Sequence, residues 1–197
     1  YSYHSTKVPV VRFASILKRF GIPLFLKIDI EGNDFLCLQD LSPQKLPKYI
    51  SVESECPLTE TDSAVEDGLS TLEKLRSLGY RSFKLIDQYT FCSLSLPMQP
   101  HQFLDGFAQK LFNRRPLRNL RGTGLISRHL FTRRRLERKL NWKFPPGSSG
   151  PWGEDTPGNW IGFEAARQVY SHYRDQHFSL PNAPFHSFWC DWHAKRD

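Results

Sequence analysis

Apolar residues at Phe13, Ile16, Leu17 and Phe20 recur at helical spacing, and Gly21 with Pro23 ends the pattern. Residues 10 to 20 therefore read as an amphipathic helix. Leu24 to Ile30 follows as a run that is apolar on both faces, the pattern of a central parallel strand covered by helices on each side. Asn33 and Asp34 can cap a short helix to about Gln39, and a loop from Pro43 to Lys48 leads into a second strand at 49 to 55. Ser63 followed by Glu66 has the form of a capping box. Val65, Leu69, Leu72 and Leu75 carry that helix on to Gly79, and residues 81 to 87 make the next strand. Further along, Ser127 to Leu140 reads as a helix, Pro145 to Gly158 as a loop and Phe163 to His177 as a helix. Phe185 to Ala194, aromatic and partly alternating, reads as a final strand.

Helix, strand, helix, strand, helix, strand is the order of a parallel sheet built by right-handed crossovers. Ligands of such sheets bind beyond the carboxyl ends of the strands. The first strand delivers Asp29, Glu31 and Gly32 there, and the second delivers Glu53 and Glu55. Alternation puts Lys27, Asp29 and Glu31 on one side of the first strand. A lysine in mid-strand needs a carboxylate partner, because an unpaired buried charge costs several kcal/mol, and Asp29 or Glu53 could supply it.

Leu26-Lys-Ile-Asp-Ile-Glu-Gly32, the leucine-bearing helix after it, and Pro47-Lys-Tyr-Ile-Ser-Val-Glu53 resemble the second half of the FkbM family of S-adenosylmethionine-dependent methyltransferases. Phe13-Ala-Ser-Ile-Leu17 in the preceding helix fits the same register, so the resemblance covers roughly residues 8 to 90. It implies an α/β, Rossmann-like methyltransferase sheet, here with its N-terminal strands and glycine-rich loop missing and with a basic helical insertion before the last strand. No G-x-G-x-x-G follows any expected strand, and Arg121-Gly-Thr-Gly-Leu125 is preceded by an arginine-rich segment instead. The expected organisation is a methyltransferase half-domain over 1–95, a basic insertion or cap over 96–183, and a final sheet strand over 184–197.

The resemblance implies S-adenosyl-L-methionine as cofactor and O-methylation of a hydroxyl or carboxyl on a small molecule or sugar, an acidic acceptor being favoured by the basic cap. Methyl transfer needs donor and acceptor held in line and often a base for the acceptor proton. A carboxylate among carboxylates can serve as that base. Asp29 is the first candidate for base or acceptor positioning, Glu31 the second, and Glu53 a supporting acid. Asp34 and Glu55 read equally well as loop or capping residues. No cofactor-binding residue is assigned, since most would lie upstream of residue 1. The same carboxylates could hold a divalent cation, but no dedicated ligand spacing supports a metal.

Other chemistry-bearing residues have quieter readings. Cys37, Cys56, Cys92 and Cys190 are scattered without zinc-ligand spacing, as reduced thiols of an intracellular, cytoplasmic protein would be. His186 and His193 flank the aromatic final strand. If that strand is antiparallel, His186 lies on the active edge and His193 does not, and each reads as packed and hydrogen-bonded. Trp189 and Trp192 read as core. Gly147-Ser-Ser-Gly-Pro-Trp-Gly-Glu-Asp155 reads as a mobile rim over the crevice.

Charge divides the chain sharply. Residues 110 to 143 hold twelve basic side chains against Glu137 alone, a net +11, so the chain's +7 leaves −4 elsewhere. An arginine-rich run can neutralise phosphates, which makes a nucleic-acid-binding or nucleic-acid-modifying protein the alternative reading. A third is a catalytically inactive remnant serving as scaffold. No stretch reaches the roughly 18 apolar residues of a membrane span. The chain opens on Tyr1 and its sole methionine is Met98, which reads as a fragment or a processed product.

Overall fold

The computed structural model describes residues 7–30, 33–54, 68–88, 90–97, 132–145, 148–178 and 189–196. They form helices α1 (Phe13–Phe20), α2 (Asp34–Gln39), α3 (Gly68–Leu78), α4 (Thr132–Leu140) and α5 (Phe163–Phe178), with strands β1 (Phe25–Ile28), β2 (Tyr49–Ser54), β3 (Ser82–Asp87), β4 (Cys92–Ser93) and β5 (Cys190–Lys195). The sheet order is β1-β2-β5-β3-β4. β1 and β2 are parallel, and β5 runs antiparallel to both of its neighbours, β2 and β3. The final strand is thus wedged into the sheet rather than added to its edge.

Period-two alternation separates two faces. Leu26, Ile50, Ala194 and Phe83 lie in one row, and Ile28, Val52, Trp192 and Leu85 in the next. These residues make the apolar face and, with Leu72, Leu75 and Leu78 of α3 and Ala166, Val169 and Tyr170 of α5, form the core. Two hydrogen bonds lock that layer at one glycine: the Trp192 indole N–H donates to the Gly68 carbonyl at 2.7 Å, and the Gly68 N–H donates to the Tyr170 hydroxyl at 3.1 Å. The opposite face carries the rows Phe25, Tyr49, Lys195, Ser82 and Lys27, Ser51, His193, Lys84. It is polar but covered.

Helix ends follow their chemistry. α3 stops at Gly79 with φ +114°, a backbone state glycine adopts without penalty. α1 has no local side-chain cap; Asp40, just past α2, accepts from the Ala14 N–H at 2.9 Å instead. This ties the two helices around β1.

Several expectations need correction. The strand expected over 24 to 30 is only four residues long and pairs with β2 alone among the described residues, so it is an edge strand there, not a central one. The short β4, antiparallel to β3, gave no periodic signal because two residues contain none. The capping box at Ser63 and Glu66 and the start of the final aromatic run, residues 185 to 188, lie outside the described residues, as does the part of the 127–140 helix before Thr132.

Candidate active site

Lys27 leaves the middle of β1 on the polar face and its ammonium forms an ion pair with Asp191 of β5, reaching over the intervening β2. Ser51 of β2 donates its hydroxyl to the same Asp191 oxygen at 3.2 Å. Burial pushes the Asp191 carboxyl up, while Lys27 and Ser51 pull it down. The second carboxylate on Lys27 is Asp29, 3.5 Å away and 43% exposed at its side chain. Lys27 thus joins a buried acid to an accessible one.

Sequence reasoning expected Lys27 to find Asp29 or Glu53. Asp29 is a partner, but the closer one is Asp191. The signal was available: Cys190-Asp-Trp-His-Ala194 alternates strictly, and with Trp192 in the core, Asp191 and His193 must face the other side.

Asp29 follows directly after β1, at its carboxyl end. Glu53 stands opposite Asp191 in register near the carboxyl end of β2, half-buried. The two strand ends therefore bring Asp29 and Glu53 to one edge of the sheet, whereas Glu31, Gly32 and Glu55 lie outside the described residues. Asp34, the first residue of α2, is 6% exposed and accepts from the Ile30 N–H at 3.2 Å, bracing the turn after β1. Burial, with a contribution from Asp29, pushes its carboxyl up, and its second oxygen has no partner among the described residues. No group of three or more His, Cys, Asp or Glu side chains among the described residues is placed to hold a metal ion.

Beside this cluster the polar face is closed by residues 151–160. The Lys84 ammonium donates to the Thr156 carbonyl at 2.9 Å, the Thr156 hydroxyl at 3.1 Å and the Gly153 carbonyl at 3.3 Å, and lies 4.6 Å from the Trp160 ring centre. Burial pushes its pKa down to about 8. Trp152 packs on Phe25 and Tyr49 with ring centres 5.0 Å apart in each case, and Glu154 accepts from Tyr49, Trp160 and Lys195. Phe25 and Tyr49 begin their strands, so residues 152–154 of the expected rim run instead under the sheet to the amino ends of β1 and β2. They form a packed strap.

His193 is 2% exposed, as a packed histidine should be, yet neither ring nitrogen has a hydrogen-bond partner among the described residues, contrary to expectation. Trp192 is fully buried, as expected for core. His186 lies outside the described residues. Cys92 and Cys190 are buried and Cys37 is half-buried, while Cys56 is outside the described residues.

A mixed α/β sheet with an antiparallel strand wedged between parallel ones, and carboxylates at one end of its strands, is an architecture compatible with methyltransferases. The model of the methyltransferase FkbM domain matches residues 2–82, which run from before α1 to the first residue of β3. The resemblance read from the sequence is thereby borne out, and the match supports a transferase that moves a methyl group to an acceptor. No curated protein and no solved structure matches the chain. No helix among the described residues is long and apolar enough to cross a membrane.

Proposed function

We propose that this chain is part of an S-adenosyl-L-methionine-dependent O-methyltransferase acting on a hydroxyl or carboxyl of a small molecule or sugar. The observation that carries the reading is the coincidence of the family match with an accessible carboxylate, Asp29, held at the carboxyl end of β1 through Lys27 and the buried Asp191. Asp29 receives the acceptor proton or orients the acceptor, Glu31 assists, and Glu53 supplies supporting charge. Ser51 and Asp191 fix Lys27, so Asp29 is presented in one geometry rather than as a free side chain.

The donor set fits the cofactor in its charge. S-adenosyl-L-methionine, when bound, supplies an electrophilic methyl on a cationic sulfonium, together with hydroxyl and ammonium groups. Asp29 and the unpartnered Asp34 oxygen are anionic acceptors suited to such groups. They are a partial set, because no glycine-rich turn follows a strand among the described residues.

We place that turn on strands continuing the sheet beyond β1. Among the described residues, the exposed large apolar side chains other than Leu96 and Trp142 lie between residues 8 and 36: Val8, Val10, Val11, Ile16, Phe20, Ile22, Leu24, Ile30 and Leu36. Such a concentration beside an edge strand marks a surface made for covering. Within this organisation, 1–95 and 184–197 bear the sheet, and the 96–183 segment caps it.

Methyl-labelled donor incubated with a panel of hydroxylated and carboxylated small molecules and sugars tests the reading, with calorimetry of donor binding alongside. Label is expected in an ether or ester product, and Asp29→Asn is expected to lower its rate of formation by roughly two orders of magnitude. Absence of both donor binding and transfer would overturn it.

A further inference from the structure

We infer that α4 and the residue pair after it form a docking surface for single-stranded nucleic acid. At 100° per residue, Arg134, Arg138, Arg135 and Lys139 follow one another around an arc of about 140°. All four are exposed. Leu136, Leu140, Arg133 and Glu137 occupy the other side, with Leu136 3% exposed.

The acid that could neutralise the arc is turned away from it. Glu137 accepts from Arg133 at 3.2 Å and from the Phe144 N–H at 3.1 Å. Arg133 is itself structural: it donates to the Phe144 carbonyl at 2.8 Å and its guanidinium lies 4.4 Å from the Phe91 ring centre. Within α4, then, Arg133 is committed to the fold, while Arg134, Arg135, Arg138 and Lys139 are exposed to meet a partner.

Asn141, at φ +51°, ends the helix and turns the chain so that Trp142, 63% exposed, and the exposed Lys143 follow at once. Cations four residues apart rise about 6 Å along a helix, giving two short rows of charge. Arginine forks match phosphate oxygens, and an exposed indole offers a face on which a base can stack. An anionic membrane is the poorer partner. A helix lying on a bilayer needs an apolar face, and the apolar side of α4 is already spent on the protein interior.

The experiment is fluorescence anisotropy of the full chain with a labelled fifteen-nucleotide uridine oligomer across a salt series, with phosphatidylserine vesicles and polyglutamate as parallel probes. Four phosphate contacts predict a slope of log affinity against log salt near −3, at about −0.7 per contact for single strands. Arg134→Gln with Arg138→Gln should flatten it by about 1.4. Trp142→Ala should weaken binding roughly tenfold at every salt concentration without changing the slope. Both variants alter exposed side chains, and unchanged melting curves would verify the fold. Failure to bind the oligomer at low salt, a slope indifferent to the double change, an affinity indifferent to Trp142→Ala, or preference for vesicles or polyglutamate would each overturn the assignment. None of these readouts depends on methyl transfer, so the two proposals fail separately.

Discussion

Lys27 and Asp191, 164 residues apart in the chain, form an ion pair across a strand that lies between them. β2 makes room for the pair by presenting only Ser51 at that point, and its hydroxyl becomes a third member. A larger residue at 51 would part the charges. The sheet's two ends are thereby coupled: the strand that completes it last also fixes the lysine that presents Asp29.

Asp191→Asn should therefore destabilise the protein by about 3 kcal/mol, the cost of leaving a largely buried ammonium without its nearest counterion. Lys27→Met combined with Asp191→Leu should recover most of that loss, because well-packed apolar residues replace buried pairs at little cost. Urea unfolding of the three proteins gives both numbers. A parent-like stability of Asp191→Asn would mean that the pair contributes nothing.

Asp29→Asn tests the chemistry rather than the fold. Turnover should fall by roughly two orders of magnitude, the scale of a lost general base, with an unchanged melting curve because the side chain is accessible. Glu31→Gln should be damaging too, and Glu53→Gln milder. A near-normal rate for Asp29→Asn would move the base elsewhere.

Gly68 allows a cleaner packing prediction. A Cβ added there would meet the Tyr170 ring at 2.6 Å and the Ser54 hydroxyl closer still, whereas one added at Gly162 would meet nothing within 4 Å. Gly68→Ala should cost about 1–3 kcal/mol as overpacking, and Gly162→Ala should be close to neutral. Thermal melts of both proteins decide it. Comparable losses would show that the contact at Gly68 relaxes freely.

What the sequence made legible was periodic. The helices at 13–20 and 163–178 and the strands at 49–54 and 82–87 were visible because each repeats its pattern over a turn or more. Asp29 and Glu53 were legible because each closes such a run. For the site's other half, alternation gave only the face of Asp191; that it reaches Lys27 depends on the antiparallel insertion of β5, and sheet order is a long-range property that local alternation does not encode. The strap at 151–160 was misread likewise. Gly150 at φ +71° and Gly153 at φ +50° look like flexibility, yet Gly153 is buried and its backbone carbonyl binds Lys84.

His193 gives the protein a specific acid sensitivity. It stands in register between Ser51 and Lys84, with Lys27 in the same row, and burial together with those two lysines pushes its pKa from 6.5 down to about 3. Below pH 6.5 the unfolded chain takes up a proton that the folded protein refuses. The stability this group contributes is therefore whole above 6.5 and is lost as pH falls toward 3. At about 1.4 kcal/mol per unit the loss approaches 3 kcal/mol at pH 4. His193→Leu should remove it. Comparing unfolding free energies at pH 7 and pH 4 cancels every other titrating group, since these are common to both proteins. The variant should lose about 3 kcal/mol less than the parent over that interval, and identical losses would show that the imidazole charges in place without opening the sheet.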